Sequence, residues 1–196
     1  KRQIYMGRVD YDYLMTSVTG THWEDTDNAF LSHGFPLDKI IELHTKNPAR
    51  AFQVAGPFDA VKLEDGDKIQ VGDYEFKCIY VPGHTPGNTC LYYEKDCLMF
   101  LGDHVLFDIT PNITAWFGVK DSLSNYLESL KKIRQYKMVT ALPAHRNTKG
   151  INVYDRIDQL LAHHEERLKD TEKVVKMIPG STAYEIAAYM KWQMRG

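Results

Sequence analysis

Cysteine is scarce and unpatterned in this chain. Cys78, Cys90 and Cys97 match no zinc-finger or CxxC redox spacing. Each sits in a strand-like run, which predicts three free thiols packed as small hydrophobes, the usage of a reducing, cytoplasmic protein. Long apolar runs are missing too: none approaches the roughly 20 residues needed to span a bilayer, so no membrane partner is expected. Positive charge is not in excess. Its 24 Lys and Arg against 26 Asp and Glu leave a formal net charge of −2, and no basic stripe carries interleaved aromatics, which argues against a nucleic-acid surface. Internal repeats and low-complexity segments are also lacking. The opening Lys1-Arg2-Gln3-Ile4 has no signal-peptide pattern, and a first residue other than Met fits an internal piece of a longer chain.

What is present is enough for one substantial core with a small appendage. Residues 1 to 6 read as a short strand. Leu37, Ile40, Ile41 and His44 fall at helical spacing, and the nearby Trp23 reads as a core aromatic, with a lid role as its alternative. From Val61 the pattern turns to β. Asp65-Gly66 between Leu63 and Ile69 predicts a hairpin. Further strands follow over residues 74 to 81, 89 to 93 and 97 to 101. Leu123, Tyr126, Leu127, Leu130 and Ile133 make an amphipathic helix with Asp121 or Ser122 as its N-cap. Residues 138 to 142 form a buried strand. A long helix runs from about Val153 to Val175 and breaks at Gly180, and Thr182-Ala183-Tyr184-Glu185 is a capping box for a last helix through about Met194. Strands followed by alternating helix and strand argue an α/β layered fold.

Three short motifs carry chemistry: Val81-Pro82-Gly83-His84-Thr85-Pro86-Gly87, Leu101-Gly102-Asp103-His104 and Leu142-Pro143-Ala144-His145. Each places an imidazole or carboxylate just after an apolar strand, and these are the groups that Zn, Mn and Fe accept. His84 lies between two Pro/Gly turns that would orient it. Asp103 needs a partner if buried, which a metal, an Arg or a helix N-terminus could supply. His145 repeats the design, and Arg146 beside it could meet an anionic group. His104 is expected to pack or hydrogen-bond behind the ligands. His22, His33, His44, His163 and His164 lack such context and are expected at the surface or behind the site. The segment His22-Trp23-Glu24-Asp25 has no standard ligand spacing.

In order and spacing the three motifs resemble the metallo-β-lactamase superfamily, in its branch of glyoxalase II-like metal-dependent hydrolases. The resemblance implies an αββα sandwich, of which this chain would be the C-terminal half to two-thirds (residues 1–176), followed by the start of a C-terminal helical extension (177–196). It implies His84 and His145 as ligands of two different metals, and Asp103 as the ligand that bridges them and shares in catalysis. The cofactor would be zinc, two ions in the complete protein, with iron or manganese as substitutes. The family's leading H-x-H-x-D-H motif occurs nowhere in the chain and would lie upstream of Lys1. The third motif, usually Pro-Gly-His-Gly, here reads Pro-Ala-His-Arg. The activity implied is attack of a metal-activated water on an ester, thioester, amide or phosphoester bond of a small-molecule substrate, weak or absent without the missing ligands. Asn112, Trp116 and Arg146 are the candidates for lining the cleft. Incomplete sheets would expose apolar surface and favour a homo-oligomer. The alternatives are an iron-dependent oxidoreductase on the same fold, and a non-catalytic binding module.

Overall fold

The structure is a computed structural model that describes residues 3–47, 50 and 54–192. The chain divides into two compact units, residues 1–20 with 56–161, and residues 21–55 with 162–196.

The first unit holds two sheets. β1 (Tyr5–Gly7) pairs in parallel with β2 (Val61–Leu63), and α1 (Arg8–Thr19) leaves β1 directly. α1 is tied to β2 and its flanks: Lys62 pairs with Asp12, Arg8 pairs with Glu64, and the Tyr11 hydroxyl donates to the Phe58 carbonyl at 2.6 Å. The larger sheet has the order β3 (Lys68–Val71), β4 (Tyr74–Tyr80), β5 (Thr89–Tyr93), β6 (Leu98–Gly102) and β7 (Thr140–Pro143). Its neighbours are antiparallel except β6 and β7, which are parallel and joined by a crossover through α4 (Ser122–Ile133).

Alternation along these strands decides where the core sits. Ile79, Cys90, Tyr92, Met99 and Leu101 face inward and cluster with Tyr126, Leu130 and Ile133 of α4 and with Val153, Ile157 and Leu160 of α5 (Val153–Met177). Each large side chain buried in this way contributes about 1.5–3 kcal/mol relative to exposure. The opposite face carries an aromatic cluster. Phe76 meets Tyr93 and Phe100 at centroid distances of 5.7 and 5.8 Å, and Tyr74 meets Tyr93 at 5.4 Å.

The second unit contains α2 (His22–Ser32), α3 (Leu37–Lys46), the later part of α5 and α6 (Ala183–Tyr189). Phe35 packs between Phe30 and Tyr184 at 5.0 and 4.8 Å, and the Tyr184 amide donates to the His33 carbonyl. The capping box at Thr182 and Glu185 forms as its sequence predicts.

Several local expectations change. The Asp65-Gly66 turn does not close a hairpin, because β2 and β3 belong to different sheets. Turn chemistry fixes a reversal but not which strands pair. The true two-residue hairpin is Gly72-Asp73 between β3 and β4, with Gly72 at φ 58°. Cys78 and Cys90 are buried, but Cys97 is not a core residue: it sits in the β5–β6 turn at φ 48° and only partly covered. The last helix ends at Tyr189, where Met190 turns extended; Met194 lies outside the described residues. His22 is buried against the Trp23 ring and His164 is partly buried, so neither is a surface residue. α1 had no clear sequence signal, and α2 lies in a segment, from Trp23 to about Lys46, where helix signals are mixed with Gly34 and Pro36.

Candidate metal centre

The His84 turn is built by two glycines and held by two helices. Gly83 has φ 148°, and a Cβ there would meet the Tyr126 Cβ of α4 at 2.5 Å. A Cβ on Gly87 would collide with the backbone nitrogen of Asp10 in α1, and one on Gly7 would meet the Gly87 carbonyl oxygen at 2.5 Å. The chain therefore passes closer to α1 and α4 than any other residue permits. The Gly83 amide donates to the Thr85 carbonyl at 2.9 Å, closing the turn across His84. From α1 the Asp10 carboxylate accepts the Thr85 hydroxyl on one oxygen and the Gly87 amide on the other, each at 2.5 Å. Burial pushes the Asp10 pKa up, against these two hydrogen bonds and the nearby His84.

The three predicted ligands come together. His84 Nε2 lies 3.5 Å from Asp103 Oδ2, and His145 Nε2 lies 3.1 Å from Asp103 Oδ1. The His145 contact is close in distance, yet Asp103 Oδ1 is buried without an aligned hydrogen bond. Two ligands sharing one tetrahedral zinc, each ~2.05 Å from it, stand ~3.3 Å apart. The two observed separations bracket that value, and each imidazole addresses a different oxygen of the same carboxylate. The donor set of two imidazoles and one carboxylate suits zinc, iron or manganese, so these residues fit the group. They do not complete its shell: among the described residues no three metal-capable side chains are grouped tightly enough to hold an ion as they stand.

His84 has the support expected of a ligand. Its Nδ1 is 2.8 Å from the Asn112 carbonyl oxygen, so Nδ1 donates there and Nε2 is the nitrogen turned toward Asp103. The Trp116 indole N–H donates to the His84 carbonyl at 3.0 Å, and its ring packs edge-on against Tyr13 of α1 at 5.4 Å. Asn112 and Trp116, the expected cleft residues, thus hold His84 in place. Their loop is pinned in turn by Arg156 of α5, which donates to the Leu106 and Ile109 carbonyls at 2.7 and 2.9 Å. Lys149 reaches Asp108 in the same loop at 2.7 Å.

His104 sits behind Asp103, fully buried, edge-on to Tyr126 at 5.3 Å. Burial drives its pKa down to about 3, so it is neutral. Arg146 is exposed beside His145 at φ 63°, a left-handed backbone rare for a side chain of its size. Sequence reading missed Asp10, Tyr13 and Arg156. Asp10 lies in the first turn of α1, and nothing local links it to a motif 75 residues on.

The structure is an α/β fold in which two histidines and an aspartate converge past the ends of sheet strands. A profile of the metallo-beta-lactamase superfamily matches residues 17–145, and the chain belongs to that superfamily, whose members are generally metal-dependent. Its fold matches a metallo-beta-lactamase family protein from Thermus thermophilus, with a TM-score of 0.75 at 22% identity over 95% of this chain and 60% of that one. An acyl-coenzyme A thioesterase of Bos taurus is 28% identical over 52% of this chain and 37% of its own length. An atrochrysone carboxyl ACP thioesterase of Cryptosporiopsis sp. is 22% identical over 87% of this chain and 48% of its own. The chain spans less than half the length of the curated relatives it matches.

Proposed function

We propose that this chain carries the His84, Asp103 and His145 part of a zinc-dependent hydrolase acting on thioesters. The observation that carries the reading is the approach of both imidazoles to opposite oxygens of Asp103, at 3.5 and 3.1 Å. The thioester class rests on the thioesterases among the relatives. When bound, the metal supplies Lewis acidity and a water acidified into the neutral range. The chain's own residues do the rest. His84 presents Nε2 because Asn112 holds its other nitrogen. Asp103 supplies negative charge between the two imidazoles. Arg146, exposed beside His145, would meet an anionic group of the substrate, such as a phosphate or carboxylate remote from the scissile bond.

The test is metal content by elemental analysis for the native chain and for His84→Ala, followed by acyl-coenzyme A hydrolysis with and without a chelator. Bound zinc that falls with the substitution, with any hydrolysis lost to the chelator, is the expected result. Iron in place of zinc would move the assignment to an oxidoreductase. Metal content indifferent to His84 would sink the site.

A further inference from the structure

We propose that Asp10 is a positioning residue of this centre: from the first turn of α1, its carboxylate fixes the turn that aims His84. The proposal rests on the reading of His84 as a metal ligand. Asp10 divides its two oxygens between the two residues that flank Pro86. Oδ2 takes the Thr85 hydroxyl and Oδ1 takes the Gly87 amide, both at 2.5 Å. Thr85 is the direct neighbour of His84 and accepts the Gly83 amide across it. The carboxylate therefore clamps the outgoing limb of the turn, where Gly87 permits the close approach to α1, while Gly83 lets the incoming limb approach α4.

The same face of α1 reaches His84 a second time. Tyr13, one helical turn after Asp10, packs on Trp116, whose indole N–H holds the His84 carbonyl. His84 is thereby restrained at its carbonyl by Trp116, at its ring by Asn112 and at its following backbone by Asp10. A ligand fixed in this way loses little freedom when it binds, and partners of this kind typically set metal affinity by about 10–100-fold. Charge matters as well as shape. An amide at position 10 keeps the size, but it offers one acceptor oxygen for two donors and turns its own N–H groups toward one of them.

The experiment compares the chain with Asp10→Asn, Thr85→Val and His84→Ala, with Asp12→Asn as a control on the exposed face of the same helix. Zinc affinity is measured by competition with a chromophoric chelator. The tautomer of the His84 ring is read by nitrogen NMR in the metal-free protein, in mildly alkaline buffer. Asp10→Asn is expected to weaken zinc binding by about tenfold or more and to turn a single Nδ1–H tautomer into a mixture. Thr85→Val is expected to give a smaller change in the same direction, and Asp12→Asn none. Unchanged affinity and tautomer in Asp10→Asn, with zinc lost in His84→Ala, would overturn the positioning role alone. Zinc binding indifferent to His84→Ala would overturn the metal site and this proposal with it. If Asp10→Asn does not fold, Thr85→Val decides: native affinity and tautomer there refute the proposal.

Discussion

At the scale of single residues, Arg146 is where backbone conformation and proposed role pull apart. Its φ of 63° lies in the left-handed region, which costs a side-chain-bearing residue about 1–2 kcal/mol. The related motifs place glycine there, where the conformation is free of that cost. The substrate contact proposed for Arg146, exposed beside His145, would give such a residue a use for its side chain. Arg146→Gly is expected to raise stability by about 1 kcal/mol and to leave zinc content unchanged. It is also expected to raise KM for an anionic thioester while kcat changes little. Thermal melts, elemental analysis and steady-state kinetics on one preparation check all three. A lower melting temperature would remove the strain argument, and an unchanged KM would remove the substrate contact.

At the scale of elements, helix α4 separates stability from site geometry. Its N-terminus is capped by the Asp121 side chain, which accepts the Ser124 amide at 2.8 Å, and its Tyr126 lies against Gly83 in the His84 turn. Asp121→Ala is expected to cost about 1 kcal/mol of stability with zinc affinity intact. Gly83→Ala is expected to cost more and to weaken zinc binding as well, because the added methyl would push the turn off the helix. Urea unfolding and chelator competition on both variants test the contrast, and equal zinc affinities would refute it. The cap of α4, the strands over 74 to 80 and 89 to 93, and the full run of α5 were all legible in the sequence, because each is written in local periodicity or turn chemistry. The convergence of His84, Asp103 and His145 could be anticipated because turn residues beside a strand end mark each one. α1 was not: its sequence mixes β-branched and aromatic residues, and no side chain caps its N-terminus. The Asp65-Gly66 turn misled because a reversal says nothing about which sheet receives the next strand. Asp10 was invisible for the same reason, since only the parallel pairing of β1 with β2, and the close pass of Gly7 by Gly87, bring it to the His84 turn.

At the scale of the whole molecule, each compact unit carries a covered histidine that folding keeps neutral. In the first unit, burial lowers the pKa of His104 to about 3. In the second, burial lowers that of His164 to about 4, with the charges of His163 and Arg167 acting in the same direction. His22 of the second unit is lowered as well, by burial above all and by Arg50, against the opposing pull of Asp25. The sign follows from proton uptake. Below the ordinary histidine value of about 6.5 the unfolded chain binds protons that the folded chain refuses, so stability falls with pH. The contribution is complete above about pH 6.5 and drains away through the pH range that ends near each folded pKa, about 4 for His164 and about 3 for His104. Both units are therefore expected to soften together on acidification, with no metal involved. Urea midpoints of the metal-free chain at about pH 7.5 and about pH 5 should differ, the lower pH being less stable. His164→Gln removes one proton acceptor from the second unit only. At about pH 5, hydrogen exchange should then show protection gained, relative to the native chain, within residues 21–47 and 162–192, and none gained around β4, β5 and β6. Equal protection in variant and native chain would mean that His164 is already protonated in the folded state at that pH.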